Sequence, residues 1–263
     1  MSESPIFYDE TDFFSRQHNY SLTALSSGKG SKLGRFYRDA TKYQLTVNVV
    51  GNTEEQAHEL LNEMNRLFER DVFSALPGKL FVNEQYINCY IVSSKAVDRL
   101  HAGTMFLVTL DILAEQPIWI SEERHDFLTF TDGSEIGFKL PTAFPLGFTA
   151  GNGSRQLLVD HYVSCPMKIS VFGPCSNPEF IIGENTYRVN GTLLSGERYE
   201  IDQRTKTVIK VTNSGEIVNA FNMRNKTESV FEPIEPGENI LSYNGDFAIE
   251  ITIFYERSEP LWS

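Results

Sequence analysis

The last third of the chain is a succession of short segments in which apolar and polar residues alternate, and Gly, Asn or Pro turns separate them. Alternation with a period of two is typical of strands buried on one face, and closely spaced turns join antiparallel neighbours. We predict strands at residues 156–163, 167–172, 179–182, 186–190, 198–202, 206–211, 228–232 and 247–255. Eight short strands in this order indicate an all-β sandwich of the jelly-roll or lectin-like kind.

One helix is predicted before this region. Thr53 and Gln56 have the spacing of a capping box, in which two side chains satisfy backbone N–H groups of the first turn. Apolar residues then recur at helical spacing, namely Ala57, Leu60, Leu61, Met64, Leu67, Phe68 and Val72. Such a stripe indicates a helix that packs on a sheet, and Pro77-Gly78 predicts its end.

Strand-like runs flank this helix. Residues 43–50 place Leu45, Val47 and Val49 on one face. Further runs occupy residues 78–83, 85–94 and 104–113. A sheet with one main helix lying on it predicts an α+β domain.

The N-terminal 32 residues combine aromatic rings with a polar loop. We expect the first 20 residues to form a strand or arm that packs through its rings, which belong to Phe7, Tyr8, Phe13, Phe14 and Tyr20. Residues 26–32 contain only Ser, Gly and Lys and predict a hairpin tip or a loop that contacts another protein. Gly28-Lys29-Gly30-Ser31-Lys32 lacks the spacing of a phosphate-binding loop, and no helix follows it.

A domain boundary is expected between residues 121 and 140. The run from Glu122 to Asp126 is rich in charge and is predicted to be a solvated linker. Proline and glycine become frequent after it. We therefore predict an N-terminal α+β domain at residues 1–135 and a C-terminal β-sandwich domain at residues 136–263.

Composition narrows the classes of partner. The 263 residues carry a formal net charge of −12, and an acidic surface repels phosphate, which argues against gripping nucleic acid. The start of the chain lacks the basic and apolar regions of a signal peptide, and no run of about 18 apolar residues occurs, so we expect no membrane insertion. Three cysteines without a CxxC pair favour reduced thiols.

No motif predicts catalysis. His58-Glu59-Leu60-Leu61-Asn62 begins like the HExxH helix of zinc proteases, but the second histidine is missing. No G-x-S-x-G motif predicts a serine nucleophile. The other histidines are scattered, and Cys165 and Cys175 favour structural thiols over a redox pair. We predict that the protein is not an enzyme, with no catalytic, cofactor-binding or metal-binding residues.

Several short motifs in the last third occur in an order that resembles the C-terminal domain of the distal tail proteins of siphophages, the long-tailed bacteriophages. They are Gly196-Glu197 with Ile201-Asp202, Gly215 with Asn219, Ile234 with Pro236-Gly237 and Asn239, and the terminal Glu259-Pro260-Leu261-Trp262. Each motif is a common combination of turn and strand, so the resemblance depends on their order and spacing. The first 135 residues, with a capped helix and Pro77-Gly78-Lys79-Leu80, are similar to the family's N-terminal domain.

This resemblance implies a structural virion protein. Members of the family form a hexameric ring whose N-terminal domains stack under the tail tube, while galectin-like C-terminal sandwiches project outward. The ring joins the tube to the tail-tip protein and, in many phages, to receptor-binding or other baseplate proteins. For this chain it implies a homohexamer at the distal end of the tail, assembled in the host cytoplasm. DNA would only pass through its channel during genome ejection.

A carbohydrate-binding module is the alternative function. Its β-sandwich would engage host cell-wall glycan through aromatic residues with polar neighbours. The candidates are Tyr187, Arg188, Tyr199, Tyr243 and Asn244. Trp262 is either a sugar-stacking residue or an anchor for the C terminus.

Overall fold

The computed structural model describes residues 6–15, 17–98, 103–129 and 155–261. The chain divides into two compact units. Unit 1 contains the residues up to Ser121 and those from Glu256 onward, and unit 2 is Glu122–Tyr255. The predicted boundary after residue 135 lies outside the described residues, so it stays a prediction. The residues from Glu256 onward group with unit 1, whereas the prediction divided the chain into two consecutive segments.

Unit 1 contains an antiparallel sheet, one α-helix among its described residues and a separate hairpin. The elements are β1 (Ile6–Thr11), β2 (Asn19–Ala24), β3 (Ser31–Tyr37), β4 (Thr41–Val50), α1 (Glu54–Ser74), β5 (Gly78–Val82), β6 (Gln85–Asp98), β7 (Met105–Ala114) and β8 (Trp119–Phe127). The order in the sheet is β1, β4, β7, β6 and β8, and β5 also pairs with β6. This confirms the predicted combination of a sheet with one main helix.

Helix α1 begins as the capping box predicts. The Thr53 side chain accepts a hydrogen bond from the Gln56 backbone N–H at 3.2 Å. The Gln56 side chain in turn accepts from the Asn52 N–H at 2.8 Å, so the reciprocal bond reaches one residue further back than in the standard motif. At the other end, Ala75 adopts a left-handed conformation (φ 53°), which stops the helix.

The core of unit 1 joins distant parts of the chain. Phe13 and Trp119 are buried, and their rings meet edge to face with centroids 5.2 Å apart. Tyr43 on β4 packs against Phe13 from another side at 5.6 Å. Phe13 thus packs as predicted, whereas Tyr20 is 58% exposed and does not. Near the C terminus, the Leu261 N–H donates to the side chain of buried Gln85 at 2.7 Å. Trp262 lies outside the described residues.

Unit 2 is built from antiparallel strands. They are β9 (Gln156–Val159), β10 (Met167–Phe172), β11 (Cys175–Ser176), β12 (Glu179–Ile182), β13 (Asn185–Arg188), β14 (Thr192–Leu193), β15 (Arg198–Asp202), β16 (Thr207–Val211), β17 (Ile217–Asn219), β18 (Gly237–Ser242) and β19 (Ala248–Arg257). One sheet has the order β19, β10, β15, β16, β17, and another has β13, β12, β18, β9. Apolar residues from both sheets share one buried core.

One strand prediction for this region is wrong. No strand forms at residues 228–232, where the Ser229 hydroxyl accepts from the Phe231 N–H in a local turn. A strand that was not predicted lies at β18, where the polar residue Asn239 is buried and the apolar residue Ile240 is exposed. Asn239 is stabilised there by its side-chain donation to the Glu235 carbonyl at 2.8 Å, a contact that periodicity does not reveal.

Candidate functional site

The residues of the HExxH-like motif are exposed or half-buried on one helix. His58 lies on α1, with its ring 5.6 Å from that of Phe106. Across the described ranges, no group of three or more His, Cys, Asp or Glu side chains is arranged to hold a metal ion.

All three cysteines are free thiols. Burial, with a smaller effect of Asp71, raises the pKa of Cys89 to about 11, which keeps this thiol protonated. Among the residues that the structure describes, no helix is long and apolar enough to cross a membrane.

The charged run at residues 122–126 is part of strand β8 and not a solvated linker. Neighbouring side chains point to opposite faces, so the charges find different partners. Arg124 forms an ion pair with Glu250 on β19 at 2.7 Å. Tyr255, also on β19, donates to Glu123, and burial together with this carboxylate raises the pKa of the Tyr255 hydroxyl. The cluster therefore links β19 to residues 122–127 of β8, which belong to unit 2.

The predicted sugar-contacting residues are mostly occupied by the fold. Tyr187 and Tyr199 are buried at 1% exposure, so neither offers a ring face to a ligand. The Arg155 guanidinium covers the ring of Tyr243 at 4.0 Å, and the Tyr243 hydroxyl donates to the Leu128 carbonyl. Arg188 is paired with Glu179 at 3.1 Å.

Unit 2 has an open groove of about 600 Å³. Asn177, Glu179, Asn244 and Asp246 contribute its polar lining. Asn244 donates to Asp246 at 2.5 Å, and Glu179 is held by Arg188, so much of this lining is already hydrogen-bonded. The polar groups of this lining do not point toward one common position, as catalytic groups around a reacting atom would.

A more distinctive feature is the pair β2–β3, which we call the hairpin arm (Asn19–Tyr37). Its strands pair only with each other within the described residues. Tyr20 is paired with Phe36, and Leu22 with Leu33. Residues paired directly across an antiparallel ladder share a face, so these four side chains form one apolar face.

A bulge keeps that face continuous. The register shifts between the two cross-strand pairs, where Gly34 and Arg35 both lie opposite Ser21. The Arg35 N–H donates to the Ser21 hydroxyl at 3.1 Å, and a Cβ at Gly34 would come within 2.6 Å of the same oxygen. The extra residue restores the alternation, so Leu33 and Phe36 point to the same side.

A second exposed surface lies beside α1. The α1–β6 groove, of about 220 Å³, is lined by Asn65, Phe68, Glu69, Val72, Phe73 and Ile91–Ser94. Phe73 is 85% exposed, and Val72 is also open to solvent. The sequence pattern assigned Val72 to the stripe that packs on the helix's own sheet, and this part of the assignment is wrong. The sequence predicted a hairpin tip or a protein-contacting loop at residues 26–32, but it predicted neither apolar face as a site, because alternation does not show which apolar faces stay uncovered.

The chain matches no protein-family model and no curated protein. Among solved structures it is similar to the SPP1 Dit (gp 19.1) protein, described as a paradigm of the hub adsorption apparatus in phages that infect Gram-positive bacteria. The TM-score is 0.60 at 12% identity, covering 95% of this chain and 93% of that chain.

Two chains of the phage P2 baseplate in its activated conformation are similar as well. The form with Ca gives a TM-score of 0.61 at 9% identity, and the form with Sr gives 0.60 at 11%. In both cases 98% of this chain and 93% of the other are covered. The chain thus has the fold of phage hub and baseplate proteins of the Dit type. This confirms in broad terms the fold that the resemblance to distal tail proteins implied, which is mostly β-sheet with one helix.

Proposed function

We propose that this chain is a distal tail protein, a structural component of the hub at the end of a phage tail. The observation that carries the proposal is the match over 95% of this chain and 93% of SPP1 Dit, because it includes both units. A fold shared at 12% identity does not by itself define a function. The uncovered apolar faces of unit 1 add support, since they suit a protein that works in an assembly.

The finer proposal is a homohexameric ring that joins the tail tube to the tail-tip protein and to receptor-binding or other baseplate proteins. Unit 1 would form the ring, and unit 2 would be a galectin-like sandwich that projects outward. A ring requires a head-to-tail contact that closes after six copies. Six copies sum to a formal charge of −72 (6 × −12), and carboxylates facing the channel would repel DNA phosphates. DNA would then pass without binding.

In this proposal the protein resides in the virion, assembles in the host cytoplasm, and has no enzymatic activity. The alternative role in glycan binding is less well supported. Tyr187 and Tyr199 are buried in the core, so neither ring can contact a glycan. The Arg155 guanidinium covers part of the ring of Tyr243.

The test is negative-stain electron microscopy of the purified chain, with the mass in solution measured on the same sample. We expect six-fold rings with a central hole, either alone or after mixing with tail-tube or tail-tip protein. A strict monomer at every concentration and in every mixture would rule out the ring function.

A further inference from the structure

The hairpin arm carries an apolar face that is open to solvent. Its face of four side chains is largely open to solvent, with Tyr20 58%, Leu22 56%, Leu33 44% and Phe36 61% exposed. An isolated two-stranded hairpin is marginally stable, and contiguous exposed apolar faces mark interaction sites. The arm therefore requires a partner that covers this face.

The charge of the arm indicates what that partner must be. The hairpin arm contains Lys29, Lys32 and Arg35 and no acidic residue, a net +3 within a chain of −12, and Arg38 follows it directly. Arg38 is engaged within its own unit by the Pro117 carbonyl at 2.6 Å. Arg35 lies 5.5 Å from the ring of Tyr37. The two lysines near the tip have no carboxylate partner among the described residues. A partner with apolar side chains and uncompensated carboxylates fits this surface.

The α1–β6 groove has that chemistry. Phe68, Val72 and Phe73 form its apolar wall, and Glu69 lies in the same lining. Helix α1 carries six acidic residues and two basic ones, a net of −4 (2 − 6). Glu63 and Glu69 form no ion pair within the described part of the chain.

We propose that the apolar face of the hairpin arm of one copy docks in the α1–β6 groove of the next copy. This inference rests on the proposed function and deepens it by naming the two surfaces that meet between neighbours. The net +3 of the arm is opposite in sign to the net −4 of the helix. Lys29 and Lys32 would then lie near Glu63 and Glu69 across the contact.

The topology of such a contact suits a ring. Arm and groove are different surfaces, and each copy carries one of each, so the contact is head-to-tail and not self-complementary. A head-to-tail contact continues from copy to copy until the rotation closes it. A second copy is favoured over an unrelated acidic protein because both complementary surfaces are present on this chain in equal number.

The test uses one variant for each surface. Phe36→Asp places a charge in the arm face, and Phe73→Asp places one in the groove. Both side chains are mostly exposed, at 61% and 85%, so folding should be preserved. Ile217→Asp, at a 68% exposed position on β17 of unit 2, is the matched control. We expect Phe36→Asp and Phe73→Asp to weaken self-association at least ~10-fold, as loss of a central interface residue does, and the control to assemble like the wild type.

Mixing the two variants gives the decisive result. The Phe73→Asp copy keeps an intact arm, and the Phe36→Asp copy keeps an intact groove, so an equimolar mixture should form 1:1 heterodimers and no rings. Mass photometry after zero-length carbodiimide coupling would detect them, with Lys32–Glu69 peptides bridging copies of different isotope label. If the wild type forms rings and both variants do too, or if the mixture stays monomeric, the inference is wrong while the ring function stands. A wild type that stays monomeric under all conditions overturns both.

Discussion

At the scale of single residues, Glu200 shows how unit 2 stabilises a partly buried charge. It lies on β15 between Lys168 at 2.9 Å and Arg198 at 2.7 Å, with 14% of its side chain exposed. Burial alone would raise the pKa of this carboxyl, but hydrogen bonds and attraction from the two cations outweigh it and lower the pKa below 4.5. The sequence suggested no role for Glu200, because its partner Lys168 lies on a strand far away in the chain.

This lowered pKa predicts a pH-dependent contribution to stability. A carboxyl with a depressed folded-state pKa stabilises the protein above its unfolded pKa, and the contribution is lost as pH falls through the folded value. We expect Glu200→Gln to cost about 0.5–1 kcal/mol at neutral pH, discounted for partial exposure. The difference from wild type should shrink as pH falls below about 4.5. Urea unfolding across this pH range is the measurement, and Glu238→Gln at an exposed position is the control. A difference that does not vary with pH would contradict the prediction.

At the scale of elements, α1 shows what a periodic pattern decides. The stripe correctly predicted the helix, and Leu60, Leu61, Met64 and Phe68 pack against the core of unit 1. Ala57 is the only fully buried residue of the helix. Leu67 and Val72 of the same stripe stay exposed, and Val72 lines the groove. Periodicity identified an apolar face, but it could not separate the part that packs on its own sheet from the part that stays exposed.

The cap of this helix provides a local test. Thr53→Ala removes the acceptor for the Gln56 N–H and should lower the free energy of unfolding by about 1 kcal/mol. Thr53→Ser keeps the hydroxyl and should retain most of that stability. Thermal or urea unfolding of the three proteins measures the difference. Equal losses for both substitutions would show that the methyl group, and not the hydrogen bond, matters at this position.

At the scale of the whole molecule, the distribution of charge matters more than its sum. The net charge of −12 argued against nucleic-acid binding but gave no indication of an interface between copies. The structure separates a positive arm from a negative helix, and both lie beside exposed apolar residues. Opposite charges at two distinct surfaces of one chain favour head-to-tail contacts over symmetric dimers.

Charge reversal tests this arrangement. Lys32→Glu and Glu69→Lys should each weaken self-association, because each places like charges across the proposed contact. Their combination should recover much of the wild-type assembly, since the pair is reversed on both sides. Raising NaCl from roughly 0.05 to 0.5 M should weaken the wild-type assembly, because screening reduces the attraction between exposed charges. Sedimentation velocity measures all four cases. Additive losses in the double variant would show that these two charges do not meet.

The sequence by itself determined the features that depend on neighbours a few residues apart. The capped helix, the strand alternation and most turns follow from local hydrogen bonding and side-chain period, so they were predictable. The tertiary structure decided everything that needs distant partners. It placed Glu122–Asp126 on a strand because that run has Glu250 and Tyr255 beside it, and it buried Tyr187 while leaving Phe36 and Phe73 open. Which apolar face is covered depends on what packs against it, and no local pattern contains that information.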